Sequence, residues 1–438
     1  MFPNPQDALP LPVRPGIEQY KKLAKDLVKA ATSPDAQALN RWTQRWIESL
    51  VRLSNLTITP HLPVSIGHWI DGLETFVRRQ KESGKRFSAT RAQFVIARAH
   101  GFESWPKFAK HLQALAQANS SESEFENAAA AIVTGDLSVL ERLLRNDPKL
   151  IRQHSSREHR ATLLHYVAAN GVEGYRQKTP SNAAEIAAFL LKAGADVNAT
   201  ADVYGGPTTT LELVATSLHT EQAGVQEQLM ELLLQHGASL NSIHSGHLVT
   251  DCLANGRVRA ADFLVDHGAP LDLEGAAGLG RLETVKTFFD SDGHLRSNAT
   301  PTHMERGFLW ACEYGRNEVI EFFLQRGAAL DAEANTGQSA LHWAVIGGRI
   351  ETIKLLISRG ADLQKRNRYG STPLGQALWS AVHSTKETQA IYLGVIEALI
   401  EAGATIEEEM LPWLLKQKEV PPNLKRQITN LLKKEEET

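Results

Sequence analysis

The chain has 438 residues, 42% of them hydrophobic and 22% charged, a composition that suits a folded protein of about two or three domains or one elongated array. A net charge of −3, with lysines and arginines alternating with acids, excludes a global basic field for nucleic acid or an anionic membrane. Two cysteines, Cys252 and Cys312, exclude a disulfide framework, and no apolar run approaches the ~20 residues that span a bilayer.

The opening MFPNPQDALPLPVRPG lacks the basic-then-apolar order of a signal peptide, so a cytoplasmic location is expected. Residues 1–120 then read as a small helical domain. Ile17, Tyr20, Leu23, Ala24, Leu27 and Val28 form one helical face, and Leu39, Trp42, Trp46, Ile47 and Leu50 a second. Ile66, Trp69, Ile70, Leu73, Phe76 and Val77 form a third. A last group runs from Phe94 through Trp105, Phe108, Leu112 and Leu115, where ARAHGFESWPKFAKHL supplies a glycine stop, Ser104 as an N-cap and Pro106 in the first turn. The tryptophans read as core, and SSESEFEN, 120–127, as a junction.

From 125 to 409 the chain repeats. NTGQSALHWAVIGGRIETIKLLISRGADLQ, 335–364, holds two short helical runs with a Gly-Gly break and a closing Gly-Ala-Asp turn. Such turns recur at Gly194, Gly237, Gly268, Gly327, Gly360 and Gly403, at intervals of 43, 31, 59, 33 and 43 residues by subtraction. A period near 33 accounts for them if 59 spans two units and the 43s carry insertions. TLLHYVAANG with LLKAGADVN, SALHWAVIGG with LLISRGADL, and STPLGQAL with LIEAGATI carry the pattern.

These fragments resemble the ankyrin repeat, with about eight units and enlarged ones near 158–243 and 367–409. The resemblance implies an all-α solenoid whose Thr and His residues tie adjacent turns, which assigns His165 and His342 a structural role. LEGAAGLGRLETVKTFF lacks the turn motif, and 125–157 keeps only the two-helix rhythm, as a capping repeat does. The segment around ARAHGFESWPKFAKHL resembles one that precedes ankyrin arrays in some bacterial proteins, which implies a bacterial source. Residues 410–438, with Leu411, Leu414, Leu415, Leu424, Ile428 and Leu431 around Pro421 and Pro422, read as a helical C-terminal cap.

In an ankyrin array the inner helices line a concave face. Aligned on the glycine that ends each inner helix, Tyr166, Leu213, Asp251, Gly275, Trp310, Trp343 and Gln376 fall in one column. Neighbouring positions add Asn170, Thr216, Ser217, Asn255, Glu313, Tyr314 and Trp379. Aromatics and carboxylates on such a face point to use. VEGYRQKTPSN, LHTEQAGVQ and SAVHSTKETQAIYLG enlarge three units between inner and outer helix, and the first two would form one wall, bringing Tyr175, Arg176 and Lys178 near His219 and Glu221. DVYGGPTTT, with Tyr204, reads as an altered finger, and Glu212 stands where the family has its histidine, so the usual tie is expected to be missing. Against this, the threonines can simply cap a helix and the loops can be tolerated growth.

Two functions follow. In the first, the chain binds a protein or other ligand through its concave face and inserted loops, with Tyr166, Asn170, Tyr175, Arg176, Tyr204, Thr216, Trp310, Tyr314, Trp343 and Trp379 as contacts. In the second, a hydrolase-like pocket acts on a sugar-like ligand by acid/base chemistry, with Asp202, Glu212, His219, Asp251 and Glu313 as candidates. No G-x-S-x-G, P-loop, G-x-G-x-x-G or H-E-x-x-H motif is present. His244 and His247 lack a third ligand at fixed spacing, and no metal or cofactor is expected.

Overall fold

Apolar side chains three and four residues apart make about two thirds of this chain helical. The computed structural model describes residues 4–54, 62–82, 87–117, 119–241, 247–333, 336–417 and 420–433. It divides into two compact units, Met1–Ala269 and Pro270–Thr438, so a boundary falls within the stretch that repeats.

In the first unit α1 (Ile17–Thr32), α2 (Ala38–Leu53), α3 (Leu62–Glu82), α4 (Ala89–Ala99) and α5 (Trp105–Leu115) enclose one core containing Tyr20, Leu27, Ile47, Leu73, Val95 and Phe108. Ser88 caps α4 through the Arg91 N–H. Ser104 precedes α5 with extended backbone but without a side-chain cap, and Pro106 sits in the first turn, where a missing N–H costs nothing. The N-terminal segment folds back on the bundle: the Leu9 N–H donates to the Ala99 carbonyl at 2.7 Å, and the Leu9 carbonyl lies 3.0 Å from His100 Nδ1. His100 stacks on Phe108, and burial holds its pKa down to about 3.

Helix pairs follow. The first is α6 (Ser121–Thr134) with α7 (Leu137–Asn146). Residues 120–127 are therefore helix rather than junction: Ser120 accepts from the Ser123 N–H and Phe125 is buried. The next pairs are Leu163–Ala168, a 3₁₀ helix, with Ala183–Lys192; Thr210–Thr216 with Gln226–Gln235; and Leu248–Ala254 with Val258–Asp266. Between the second and third pairs, β1 (Thr200–Val203) and β2 (Gly206–Thr209) form an antiparallel hairpin in which Val203 pairs with Gly206. Its two-residue loop needs positive φ at both positions. Gly205 takes +93° and Tyr204 +54°. For a tyrosine that conformation costs about 1–2 kcal/mol, offset by a hydroxyl that donates to Asn170 Oδ1 and accepts from the Gly171 N–H.

The second unit stacks Leu273–Leu279 with Leu282–Thr287, Pro301–Tyr314 with Asn317–Gln325, Ala340–Ile346 with Ile350–Ser358, and Pro373–His383 with Lys386–Glu401. Met410–Lys416 and Pro422–Lys433 close its core with Leu414, Leu424 and Ile428. The third insertion is not a loop: with Ala381, Val382, Tyr392 and Leu393 packed on the core, it lengthens Pro373–His383 and Lys386–Glu401 to either side of Ser384 and Thr385. Each inner helix ends with carbonyls that have no partner within the helix. The following pair supplies the donor: Arg316 Nε to the Gly278 carbonyl at 3.0 Å, Arg349 Nε to that of Glu313 at 2.9 Å, and the Tyr392 hydroxyl to that of Ile346 at 2.7 Å.

Ties at the helix starts recur. His165 Nδ1 accepts from the Thr162 N–H at 3.1 Å and lies 2.8 Å from its hydroxyl; His342 stands likewise to Ser339, and His303 accepts from the Thr300 N–H. At the third pair the expected gap is half filled. Glu212 Oε2 accepts from the Thr209 N–H at 2.5 Å and from its hydroxyl at 2.9 Å, which rebuilds the local tie. A carboxylate cannot donate onward as His342 Nε2 does to the Ser371 carbonyl at 3.0 Å, so the bond to the next repeat is what is lost.

A Cβ at Gly347 would run into the Glu313 carbonyl of the preceding pair, whereas one at Gly360, with φ +89°, meets nothing. Gly347→Ala is expected to destabilise the protein by about 2–3 kcal/mol and Gly360→Ala by about 1 kcal/mol, read by urea unfolding. Equal losses at the two sites would show that the pairs are not in this close contact.

Candidate functional site

In the first unit the hairpin and the helices Thr210–Thr216 and Leu248–Ala254 border a cleft of about 580 Å³. Asn170, Tyr204, Glu212, Thr216, His219 and Asp251 line it, joined by Gln177 of the first insertion and Leu218 of the second. Both insertions therefore reach one cavity. Asn170 organises the wall, its Nδ2 donating to the Leu213 carbonyl and to Thr216 Oγ1, each at 3.1 Å. Burial holds His219 below the usual imidazole range, so it is neutral at neutral pH. Glu212 is buried and engaged by Thr209, and Asp202 is exposed on β1 and does not line the cleft. The cavity presents hydroxyl, amide and neutral imidazole groups with the Asp251 carboxylate, a set suited to a polar ligand.

The first insertion has a second engagement. Arg176 pairs with Glu126 of α6 at 2.7 Å and with Glu173 at 3.4 Å, and Arg157 pairs with Glu173 at 2.9 Å and also with Glu126. His159 Nε2 is 3.6 Å from Glu173, and His111 of α5 is 3.9 Å from Glu126. The Glu173 and Arg157 side chains are 0% and 1% exposed, so the charges survive only because two guanidinium groups balance two carboxylates. Burial pushes both carboxyls up, but Arg157 and then Arg176 outweigh it and hold them below the usual range. Burial pushes His111 down to about 4, which keeps it neutral. Tyr175 accepts from Arg157 at 3.3 Å, and a side chain at Gly174 would run into the Gln6 carbonyl. Tyr166, expected on an open face, is fully buried between Phe125, His159 and the Arg176 guanidinium. Tyr175 and Arg176 thus turn inward to this cluster, and Glu221 pairs with Arg257.

In the second unit an apolar groove of about 1110 Å³ is lined by Tyr369, Trp379, Ile391, Tyr392, Met410 and Trp413. Tyr369 is 78% and Trp379 53% exposed, the latter stacked on His383 at 4.3 Å. Nearer the start of the unit, Trp310 stacks on Tyr314 at 6.1 Å and lies 6.2 Å from Trp343. Trp310 and Trp343 are half-buried and Tyr314 is buried. Among the described residues neither the Trp343 indole N–H nor Glu313 Oε2 has a hydrogen-bond partner, although both are buried. Burial pushes Glu313 up to about 7 against the opposing charge of Arg349.

A family model described as ankyrin repeats, in three copies, matches residues 273–367 and 308–410. The C-terminal part of the chain is an ankyrin-repeat array. The all-α solenoid agrees with it, and ankyrin repeats are protein-interaction modules, so a protein partner is indicated. No curated protein matches the chain significantly. Among the described residues no helix is long and apolar enough to cross a membrane.

The structure thus sorts the sequence candidates into three places. Asn170, Tyr204, Glu212, Thr216, His219 and Asp251 meet at the polar cleft; Tyr166, Tyr175 and Arg176 belong to the buried cluster; Trp310, Glu313, Tyr314, Trp343 and Trp379 lie in the ankyrin array of the second unit. His244 lies outside the described residues, and Lys178 is exposed. The sequence reading missed Glu126, Arg157 and Glu173, which no motif marks, and the groove aromatics Tyr369, Tyr392 and Trp413, which fall outside the aligned column.

Glu126→Gln leaves two buried guanidinium groups facing one carboxylate, and a loss of about 3–5 kcal/mol is expected in urea unfolding. A loss below about 1 kcal/mol would mean that water or relaxation already screens the cluster. For Glu313 the folded pKa stands above the usual carboxyl value of 4.5, so folding is penalised increasingly as pH rises from 4.5 through about 7. Glu313→Gln is therefore expected to stabilise the protein by about 1–3 kcal/mol at pH 8 and to be neutral at pH 5. Thermal unfolding at both pH values tests this, and an equal effect at the two would contradict it.

Proposed function

We propose that the chain is a binding protein whose second unit, 270–438, with its ankyrin repeats and the helices that close them, takes a segment of a protein partner into the groove of Tyr369, Trp379, Ile391, Tyr392 and Trp413. The observation that carries the reading is the exposure of the large aromatics Tyr369 and Trp379 on an apolar groove. Such side chains cost solubility when left open, and desolvating them on contact concentrates binding energy in a few residues. The half-buried Trp310 and Trp343 extend the aromatic character along the inner helices. The buried, unpaired Cys252 and Cys312 support a reducing, cytoplasmic setting.

The alternative, a hydrolase-like or small-molecule pocket, draws its support from the polar cleft of the first unit. With Glu212 engaged by Thr209, the titratable groups that could act there on a sugar-like ligand are His219 and Asp251. Asp251 and Glu313 belong to different units, and no paired role is drawn for them. The aromatic groove favours binding as the main function.

A photo-crosslinking amino acid at exposed Tyr369, in protein expressed in its own host, identifies the partner. Trp379→Ala is then expected to weaken the purified complex at least about tenfold. Unchanged affinity for Trp379→Ala would remove the groove from the interface.

A further inference from the structure

We infer that the helical bundle at the start of the chain carries a separate binding pocket for a small planar organic anion, between α1 and α2. A concavity of about 630 Å³ opens there, within the size range of ligand sites. One face of α2 supplies Arg41, Trp42, Arg45, Trp46, Ser49 and Leu50, spaced three and four apart so that indoles and cations alternate along a single wall. α1 faces it with Lys22, Leu23 and Asp26.

Three features select the ligand. Trp42 and Trp46 stand 5.2 Å apart, ring centre to ring centre, and with Leu23 and Leu50 offer an apolar surface for a flat body. The Trp42 indole N–H is closed to solvent and, among the described residues, has no acceptor, an unmet donor that a ligand's lone pair reaches when the half-buried ring turns toward the concavity. The charges at the mouth do not cancel. Arg41 pairs with Asp35 and Asp26 with Lys29, whereas Lys22 and Arg45 have no carboxylate partner among the described residues. Two unpaired cations over an aromatic floor with a buried donor complement a planar aromatic carrying a carboxylate, sulfonate or phosphate group. Were Lys22 and Arg45 only laying their methylene stems along the edge of the core with their charges in water, neutralising them would leave binding unchanged.

The test uses the full chain labelled with fluorotryptophan, whose eight indoles give separate ¹⁹F signals. Trp42→Phe identifies the Trp42 signal. Titration with 2-naphthalenesulfonate is expected to shift that signal saturably, while the neutral 2-naphthamide and the variant Lys22→Gln/Arg45→Gln each bind at least about tenfold more weakly. Both substitutions are on exposed helix positions, and unchanged signals from the other tryptophans report an intact fold. No movement of the Trp42 signal at millimolar probe, or equal response to the charged and neutral probes, or no effect of removing the two cations, overturns the proposal. Because the probe reports at Trp42, binding elsewhere, the aromatic groove included, is not mistaken for it.

Discussion

The carbonyl groups at the end of each inner helix are the constraint around which the second unit is built. A helix of seven residues leaves more than half of its carbonyls without an internal partner, and a short repeat has no core of its own to hide them in. The solution is a donor from the next pair, delivered by an arginine at the start of the outer helix in two pairs and by a tyrosine in a third. Glycine beneath the donor is a requirement of the same contact: Gly280 lies under Arg316 and Gly315 under Arg349, both at positive φ. Each repeat is therefore finished only by its neighbour, and the aromatic groove rests on the fourth pair, where Tyr392 does this work and Ile391 packs on Gly348.

The first unit solves its corresponding problem by charge. An insertion that could have stayed in solvent is instead drawn against α6 by Arg176, with Glu173 buried completely and Arg157 between them. Apolar packing of the same volume could hold these elements at less desolvation cost. What the ionic arrangement adds is a demand for one geometry: each carboxylate must face two guanidinium groups, which fixes α6, the turn at 155–160 and the insertion relative to one another. With Gly174 against Gln6, the N-terminal segment is fixed too, and Gln6 and Gln177 become part of the wall of the polar cleft.

Periodicity made the helices legible because apolar spacing is a local property: the faces of α1 to α5 and the paired helices of the array follow directly from residues three and four apart. The ties at His165 and His342 were legible for the same reason, since Thr or Ser and His stand at fixed separation. Glu212 was misread because side-chain type was taken for function: a carboxylate accepts the same two bonds as an imidazole and lacks only the onward donor. The charge cluster was illegible because its members come from 111, 126, 157–159 and 173–176, and apart from the local Glu173–Arg176 pair no spacing rule joins segments so far apart. The third insertion became helix because Ala381, Val382, Tyr392 and Leu393 find a core to pack on, whatever its length suggested about loops.

The donors to the inner-helix carbonyls of the second unit run from a pair to the pair before it, while His342 Nε2 donates the other way, to the Ser371 carbonyl. Removing the first pair would release an arginine into water, which solvates it readily. Removing the last would take the tyrosine donor and its cover from the pair before it, leaving that pair's carbonyl to water and its apolar face exposed, which weakens its hold. The array is knitted in both directions, so the loss of an end pair loosens its neighbour whichever end it is. The two helices after Glu401 then act as a bind-off, and the residues that line the groove are the last stitches they secure.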